Sequence, residues 1–434
     1  MSNLNKIILN CHVVGVGQNP IAWRCQNDSK AFINRDFYHQ IATTAERGMF
    51  DAIFLSDSLS LHGHAYAPSQ MLDPLVVASI ISSFTKNIGI ICTASTTFNE
   101  PFNLARQFLS LDHMSSGRVG WNAVTTYNPS AAANFGTHKL PNSSERYARA
   151  EEFIDVVKKL WMSWSKDALV LDSHRGIFAD PNKVNKINHN GKHFSVDGPL
   201  NVPRSVQNRP LLIQSGASEA GLELAAKHAD VIFTAQNDFI RAKQFYHNLK
   251  LRVKNKGRDT EKFKILPGLY PVLGSTLAEA TKIKNERDEL RNVNGDMEFL
   301  SRQLAIHVED LSEHKQLPYC LIEKSSRNNK SKGFSSEIVS YARQNRLTVR
   351  ELILNNFGMH RMLVCTPEIL VADMEMWFSQ KAADGFNINF GVFPQDLNDF
   401  VEHVIPLLQK KNIFKRKYDG ATIKDNFGIS QLED

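Results

Sequence analysis

Hydrophobic and polar positions follow two rhythms along this chain. Segments such as DPLVVASIISSF from Asp73, NLARQFLSLDHM from Asn103 and SERYARAEEFIDVVKKLWMSW from Ser144 repeat apolar residues three and four apart. That is the spacing of a helix with one buried stripe. Between such segments lie short runs that are apolar nearly throughout: KIILNCHVV from Lys6, DAIFLSD from Asp51, NIGIICTAST from Asn87, GRVGWNAVTT from Gly117, RPLLIQSG from Arg209, DVIFTA from Asp230, FKILPGLYPVLG from Phe263 and GFNINFGV from Gly385. Runs of this length and β-branched content read as strands. Their lack of alternation says that both faces are covered, as in a parallel sheet.

Eight such strands with helices between them predict an α/β chain folded as a (β/α)8 TIM barrel, one domain over residues 1–434. A doubly wound sheet is the competing architecture. Its glycine fingerprint appears only as GVGQNP at Gly15 to Pro20, where proline replaces the last glycine and no helix follows at once. Two stretches interrupt the repeat, about 165–208 and 291–346. The second holds EKSSRNNKSKG, which predicts a solvated loop and a candidate lid. The helix before GRVGW is expected to close at Gly117.

Composition narrows the class. With 51 Lys and Arg against 45 Asp and Glu, the formal charge of +6 is mild for 434 residues. It permits an anionic ligand without calling for nucleic acid. The five cysteines are scattered, with no C-x-x-C pair, and the first residues lack the apolar core of a signal peptide. No run reaches the ~18 apolar residues of a membrane span. A cytoplasmic protein without membrane or nucleic-acid partners is expected.

In a barrel the strand C-termini carry the site. Here they offer Asp57 after the second strand, Ser95 and Thr96 after the third, Asn122, Thr125 and Thr126 at the fourth, and Ser215 and Ser218 after the fifth. This set has one carboxylate and many neutral hydrogen-bonding groups. It lacks the carboxylate pair of a glycosidase, the G-x-S-x-G elbow and any metal-ligand spacing; HGH at His62 to His64 is too slight. Such a site suits a cofactor that brings its own chemistry. Two helix starts could hold its phosphate. One has Asn142 as N-cap with Glu145 three residues on, followed by Arg146 and Tyr147; the other is QSGASEAG around Ser218. Ordinary capping explains either start alone. His12 and His62 are candidates for the substrate pocket.

At FDAIFLSDS, ASTTFNEPFNLARQFLSLDHMSSGRVGWNAVTT, SERYARAEEFIDVVKKLWMSW, HNGKHFSVDGPLNVPRSVQNRPLLIQSGASEAG and AADGFNINF, the chain resembles the flavin-dependent monooxygenases of the nitrilotriacetate, dibenzothiophene-sulfone and long-chain alkane type. These belong to the bacterial luciferase-like superfamily. The resemblance covers nearly the whole chain. It implies a luciferase-like barrel using FMN in its reduced form, FMNH2, with O2 as co-substrate. It also implies a separate NAD(P)H:flavin reductase as partner, a small-molecule substrate, often C–S or C–N cleavage, and a homo-oligomer. Flavin contacts carried over on matching positions are Asp57, Ser95, Asn122, Ser143, Arg146, Tyr147 and Ser218, with Tyr147 and Ser218 near the phosphate. Ser143 stands where relatives often have histidine. No acid or base is identified. A deazaflavin-dependent dehydrogenase and a non-catalytic flavin-binding protein are the alternatives on the same barrel.

Overall fold

A computed structural model describes residues 6–28, 30–61, 72–126, 128–137, 140–216, 218–328, 333–355 and 359–429. Eight parallel strands form a closed ring: β1 (Ile8–Val13), β2 (Ala52–Leu55), β3 (Gly89–Ser95), β4 (Val119–Val124), β5 (Leu211–Ser215), β6 (Val231–Thr234), β7 (Lys264–Leu273) and β8 (Gly385–Asn389). Each pairs with its neighbours, and β8 returns to β1 with Ile8 opposite Gly385 and His12 opposite Asn389. The eight apolar runs are thus the eight staves of the barrel. A ninth strand, Arg361–Cys365, was not foreseen. It pairs with the upper half of the unusually long β7, from Leu269 to Leu273.

Alternation within the staves separates two cores. Leu9, Cys11, Ile53, Leu55, Ile90, Cys92, Trp121, Phe386 and Ile388 face outward into the helical layer. Ile8, Ala52, Phe54, Ile91, Leu211, Ile213, Val231 and Leu266 face inward. The inward set is sealed by the end of the chain: Ile423, Phe427 and Ile429 pack into it. Ile423 sits so close under β3 that a side chain on Gly89 would place its first carbon 2.6 Å from the isoleucine.

The aspartates that open three of the apolar runs have a shared role at the barrel's base. Asp51 accepts the N–H of Leu9 at 2.8 Å, Asp230 that of Leu212 at 2.8 Å, and Asp384 that of Ile265 at 2.9 Å. Each carboxylate before an even strand therefore clasps the preceding odd strand. Asp230 is matched by a bidentate Arg209 at 2.7 and 2.8 Å, and Asp51 by Lys415. Such buried charges are tolerated because each is paired and hydrogen-bonded. The β3–β4 pair differs: Arg118 stands before β4 and donates to Thr85 Oγ1 and to the carbonyls of Ser82, Thr85 and Ile88.

The helix Pro101–Met114 ends three residues before Gly117. Ser116 and Gly117 both take positive φ, +58° and +83°, to turn the chain into β4. The first insertion forms two small antiparallel pairs, Leu169–Asp172 with Ile177–Ala179 and His189–Asn190 with Ser195–Val196. The described parts of the second are helical: Val293–Leu304, Tyr319–Asn328, Gly333–Gln344 and Val349–Leu354; of the basic run read as a solvated loop, residues 329–332 lie outside the described residues. Leu300, Leu304, Leu317, Ile322, Ile338, Ala342, Leu352 and Ile353 give it an apolar core of its own. The low-complexity run hides this because its apolar positions lie on either side of it, at Ile322 and Ile338. Among the described residues no helix is long and apolar enough to cross a membrane.

Candidate active site

The polar groups at the strand C-termini meet at one end of the barrel. At β4, Asn122 is buried; its Nδ2 donates to Thr93 Oγ1 and its Oδ1 accepts from Ser215 Oγ, both at 2.9 Å. Asn122 thus ties β3, β4 and β5 together two residues before its own strand ends. Ser95 Oγ lies 2.7 Å from Thr126 Oγ1 and accepts the N–H of Thr97 at 3.0 Å.

Beside Ser215, the helix Glu219–His228 begins with Ser218 as N-cap, its Oγ accepting from Gly221 N–H. Tyr147 arrives from the helix Ser143–Trp161 and brings its hydroxyl to 2.9 Å from Ser218 Oγ. That helix is anchored far from the mouth. Trp161 donates to the Ala105 carbonyl at 2.9 Å, and its ring meets Trp121 edge-on at 6.1 Å. Each fully buried aromatic of this kind contributes about 3 kcal/mol, so Tyr147 rides on a rigid lever. A Cβ on Gly221 would stand 3.1 Å from both hydroxyls. The glycine leaves this corner open.

Asn142 caps the Tyr147 helix, accepting the N–H of Glu145 at 3.0 Å. Ser143 is the first helical residue, one turn before Tyr147 and on its face. Arg146, one position from Tyr147, is buried and donates to the Pro141 carbonyl at 2.5 Å, leaving Nε without a partner. Arg149, which sequence reasoning missed, donates to the carbonyls of Thr96 and Asn99 and lies 4.6 Å over the Phe194 ring. Its signal was its place one turn after Arg146 and Glu145 on a capped helix.

Asp57 follows β2 and is half-buried. Burial pushes its carboxyl up to about 6, and the Asp73 carboxylate adds to the rise against the pull of the Ser58 N–H. The sequence placed no second carboxylate near it; the fold does, because Asp73 caps the next helix. His12 is buried on β1. Its Nδ1 lies 2.6 Å from Asn389 Oδ1 and its Nε2 2.6 Å from Ser56 Oγ. Asn389 Nδ2 donates to the Asn387 carbonyl at 3.0 Å. The amide oxygen is therefore the end facing His12, the histidine proton sits on Nδ1, and Nε2 accepts from Ser56. Burial lowers this imidazole to about 4, although Asn389 opposes the shift. Phe54, Phe233 and His360 surround the ring. His62 lies outside the described residues.

Ser56, Asn389, Phe233 and His360 were not among the expected site residues. GFNINF did hold a signal: two asparagines alternating inward on a strand otherwise apolar. His360 had none, since it ends an insertion. Among the described residues no group of three or more His, Cys, Asp or Glu is placed to hold a metal ion.

The fold is a closed (β/α)8 barrel with hydrogen-bonding side chains gathered at the strand C-termini. The chain belongs to the luciferase-like monooxygenase family, whose profile matches residues 23–317, and it is an oxidoreductase of that kind. It is 39% identical over 436 residues to N-acetyl-S-(2-succino)cysteine monooxygenase of Bacillus subtilis (strain 168), covering 99% of this chain and 98% of that protein. It is 38% identical to nitrilotriacetate monooxygenase component A of Aminobacter aminovorans, covering 91% and 90%. The crystal structure of a long-chain alkane monooxygenase superposes with a TM-score of 0.85 at 29% identity, covering 100% of this chain and 97% of that one.

Proposed function

We propose that this chain is the oxygenating component of a two-component monooxygenase. It takes reduced FMN from a separate NAD(P)H:flavin reductase and uses it with O2 to oxygenate a small sulfur- or nitrogen-containing molecule, with C–S or C–N cleavage following. The observation that carries the reading is the Tyr147–Ser218 pair at the open start of the Glu219–His228 helix. Two hydroxyls, the free N–H groups of a helix N-terminus and an unobstructed glycine form a place for a phosphate. On the helix that carries Tyr147, the Arg146 Nε–H is buried without a partner, a donor left to spare.

In this reading Tyr147, Ser218 and Arg146 hold the phosphate, with Ser143 beside them. Asn122, Ser95 and Asp57 line the wall against which the ring system rests. The reduced flavin supplies the electrons that activate O2. The protein's part is to bind, orient and keep water away, and Asp57, raised toward neutrality, can hold a proton at its carboxyl near neutral pH. The relatives' names support the substrate class: N-acetyl-S-(2-succino)cysteine and nitrilotriacetate each present sulfur or nitrogen among carboxylate-bearing carbons.

The test combines the protein with a flavin reductase, NADH, FMN, N-acetyl-S-(2-succino)cysteine and isotopically labelled O2, and looks for label in the product by mass spectrometry. Label in product is expected. Hydrogen peroxide alone, across a panel of such acids, points to flavin binding without turnover. Rapid NADH oxidation with no reductase added would overturn the two-component reading.

A further inference from the structure

Between the barrel mouth and the inserted helices lies a cavity of about 160 Å³. That is room for roughly five waters at ~30 Å³ each, or for the acidic end of a larger molecule. Lys284, Arg361, Asn237, Asn355, Tyr341 and His360 contribute polar groups to its lining, and no carboxylate is among its described lining residues. The two cations are held in place by acids outside that lining. Arg361 donates to both Asp373 oxygens at 2.8 and 2.6 Å, and Lys284 pairs with Asp288.

His360 is the least ordinary of these groups. It is only 7% exposed, and its Nδ1 is buried with no hydrogen-bond partner. Below it is Gly268 of β7, where a side chain would place its first carbon 2.2 Å from Nδ1. A hydrogen of the glycine Cα therefore points at that nitrogen. A proton on Nδ1 would collide with it, whereas a lone pair makes a weak C–H···N contact. The ring proton accordingly sits on Nε2, on the edge away from β7. Phe233 stacks on the ring at 5.3 Å and 14°, and His12 meets it edge-on at 6.3 Å. Burial and the nearby His12 keep the imidazole neutral, down to about 3. His360 is thus a fixed, uncharged N–H donor beside a cavity whose described lining holds no carboxylate.

The geometry points to a carboxylate subsite in which His360 donates from Nε2 to a carboxylate oxygen of the substrate, with the N–H donors that Lys284 keeps beyond its Asp288 contact beside it. This rests on the proposed reaction, whose substrate reaches from the cavity toward the barrel mouth beside His12. A cationic ligand offers the His360 N–H no acceptor, and an apolar one leaves that N–H unpaired.

Calorimetric titration of the flavin-free, full-length protein tests the subsite, with N-acetyl-S-(2-succino)cysteine and its fully methyl-esterified form as probes. The acid is expected to bind at least tenfold tighter than the ester. His360→Phe keeps the stacked ring and loses the N–H; it should weaken the acid at least tenfold and leave the ester unchanged. His360→Gln, which carries an amide N–H near the place of Nε2, should recover most of the loss. Lys284→Met should also weaken the acid alone, and it serves if the His360 variants do not fold. Equal binding of acid and ester, no binding of the acid, or unchanged acid binding in His360→Phe or Lys284→Met would overturn the proposal. Labelled product formed despite any of these results removes the subsite and spares the monooxygenase reading. Intact acid binding in a protein that takes up no reduced FMN does the reverse.

Discussion

The Tyr147 hydroxyl lies 2.9 Å from that of Ser218, across 71 residues of chain. The contact joins two helices that follow different strands, and it leaves two rotatable O–H groups at one helix start. FMN and riboflavin share a ring system and differ by the phosphate. Charge-assisted hydrogen bonds contribute about 1.5–3 kcal/mol each. Reduced FMN should therefore bind at least ~30-fold tighter than reduced riboflavin, at ~1.4 kcal/mol per tenfold. Tyr147→Phe combined with Ser218→Ala should shrink that ratio, measured by anaerobic titration of both flavins. Equal affinities in the wild type would place the phosphate elsewhere or remove it from the reading.

Asp57 has a folded-state pKa near 6 against 3.8 for the free group. Between those values the folded protein binds more protons than the unfolded chain, so this residue's contribution falls as pH rises through ~4 to ~6 and is flat above. Asp57→Asn removes the penalty. The variant should gain about 1–2 kcal/mol at pH 7 relative to wild type, after discounting for partial exposure, and little at pH 4. Denaturant unfolding at the two pH values checks this; an equal change at both contradicts it.

Three buried histidines push the other way. His12 is lowered to about 4, and His228 and His360 to about 3, by burial first of all. Below the ordinary 6.5 the unfolded chain takes up protons that the fold refuses. Stability should fall as pH drops from 7 toward 4, by about 2 kcal/mol per histidine at pH 5. Melting temperatures across that range should show a slope that His360→Phe makes shallower. A pH-independent melting temperature would mean that these rings accept protons in the fold.

The base of the barrel offers a packing test. Phe427 is 1% exposed within the inward core, beside Ile423 and Ile429. Phe427→Ala leaves a void where the surroundings are fixed by strands, and should cost about 3–5 kcal/mol. Flavin affinity at the opposite end of the barrel should survive at temperatures where the variant remains folded.

Reading the sequence recovered all eight staves because fully buried parallel strands announce themselves as unbroken apolar runs. The two helix starts that bring Tyr147 and Ser218 together were also legible, Ser218 as an N-cap after β5 and Tyr147 just inside the helix that Asn142 caps. What stayed hidden depended on distance. Asp73 reaches Asp57 only through the fold, and His360 reaches Phe233 and His12 only because Arg361–Cys365 adds a strand beside β7. The inserted helices were hidden for a different reason. A charged, repetitive stretch dominated the local pattern, while the apolar residues that bury its flanks lie farther apart than one helical period. The repeated aspartates were visible as punctuation, but their clasping of the preceding strand needed coordinates.

The closure of β1 against β8 has a consequence for how the protein is made. Asn10 and Asn387, hydrogen-bonded at 2.7 Å, stand 377 residues apart. At ~5–20 residues per second, a ribosome needs ~20–75 s between synthesising the first stave and the partner of its open edge. Over that interval β1 presents an unsatisfied ladder of peptide groups to the crowded cell, and the inward-facing residues wait longer still for Ile423 and Phe427. An edge left open for that long is the part of the nascent chain most exposed to pairing with other chains.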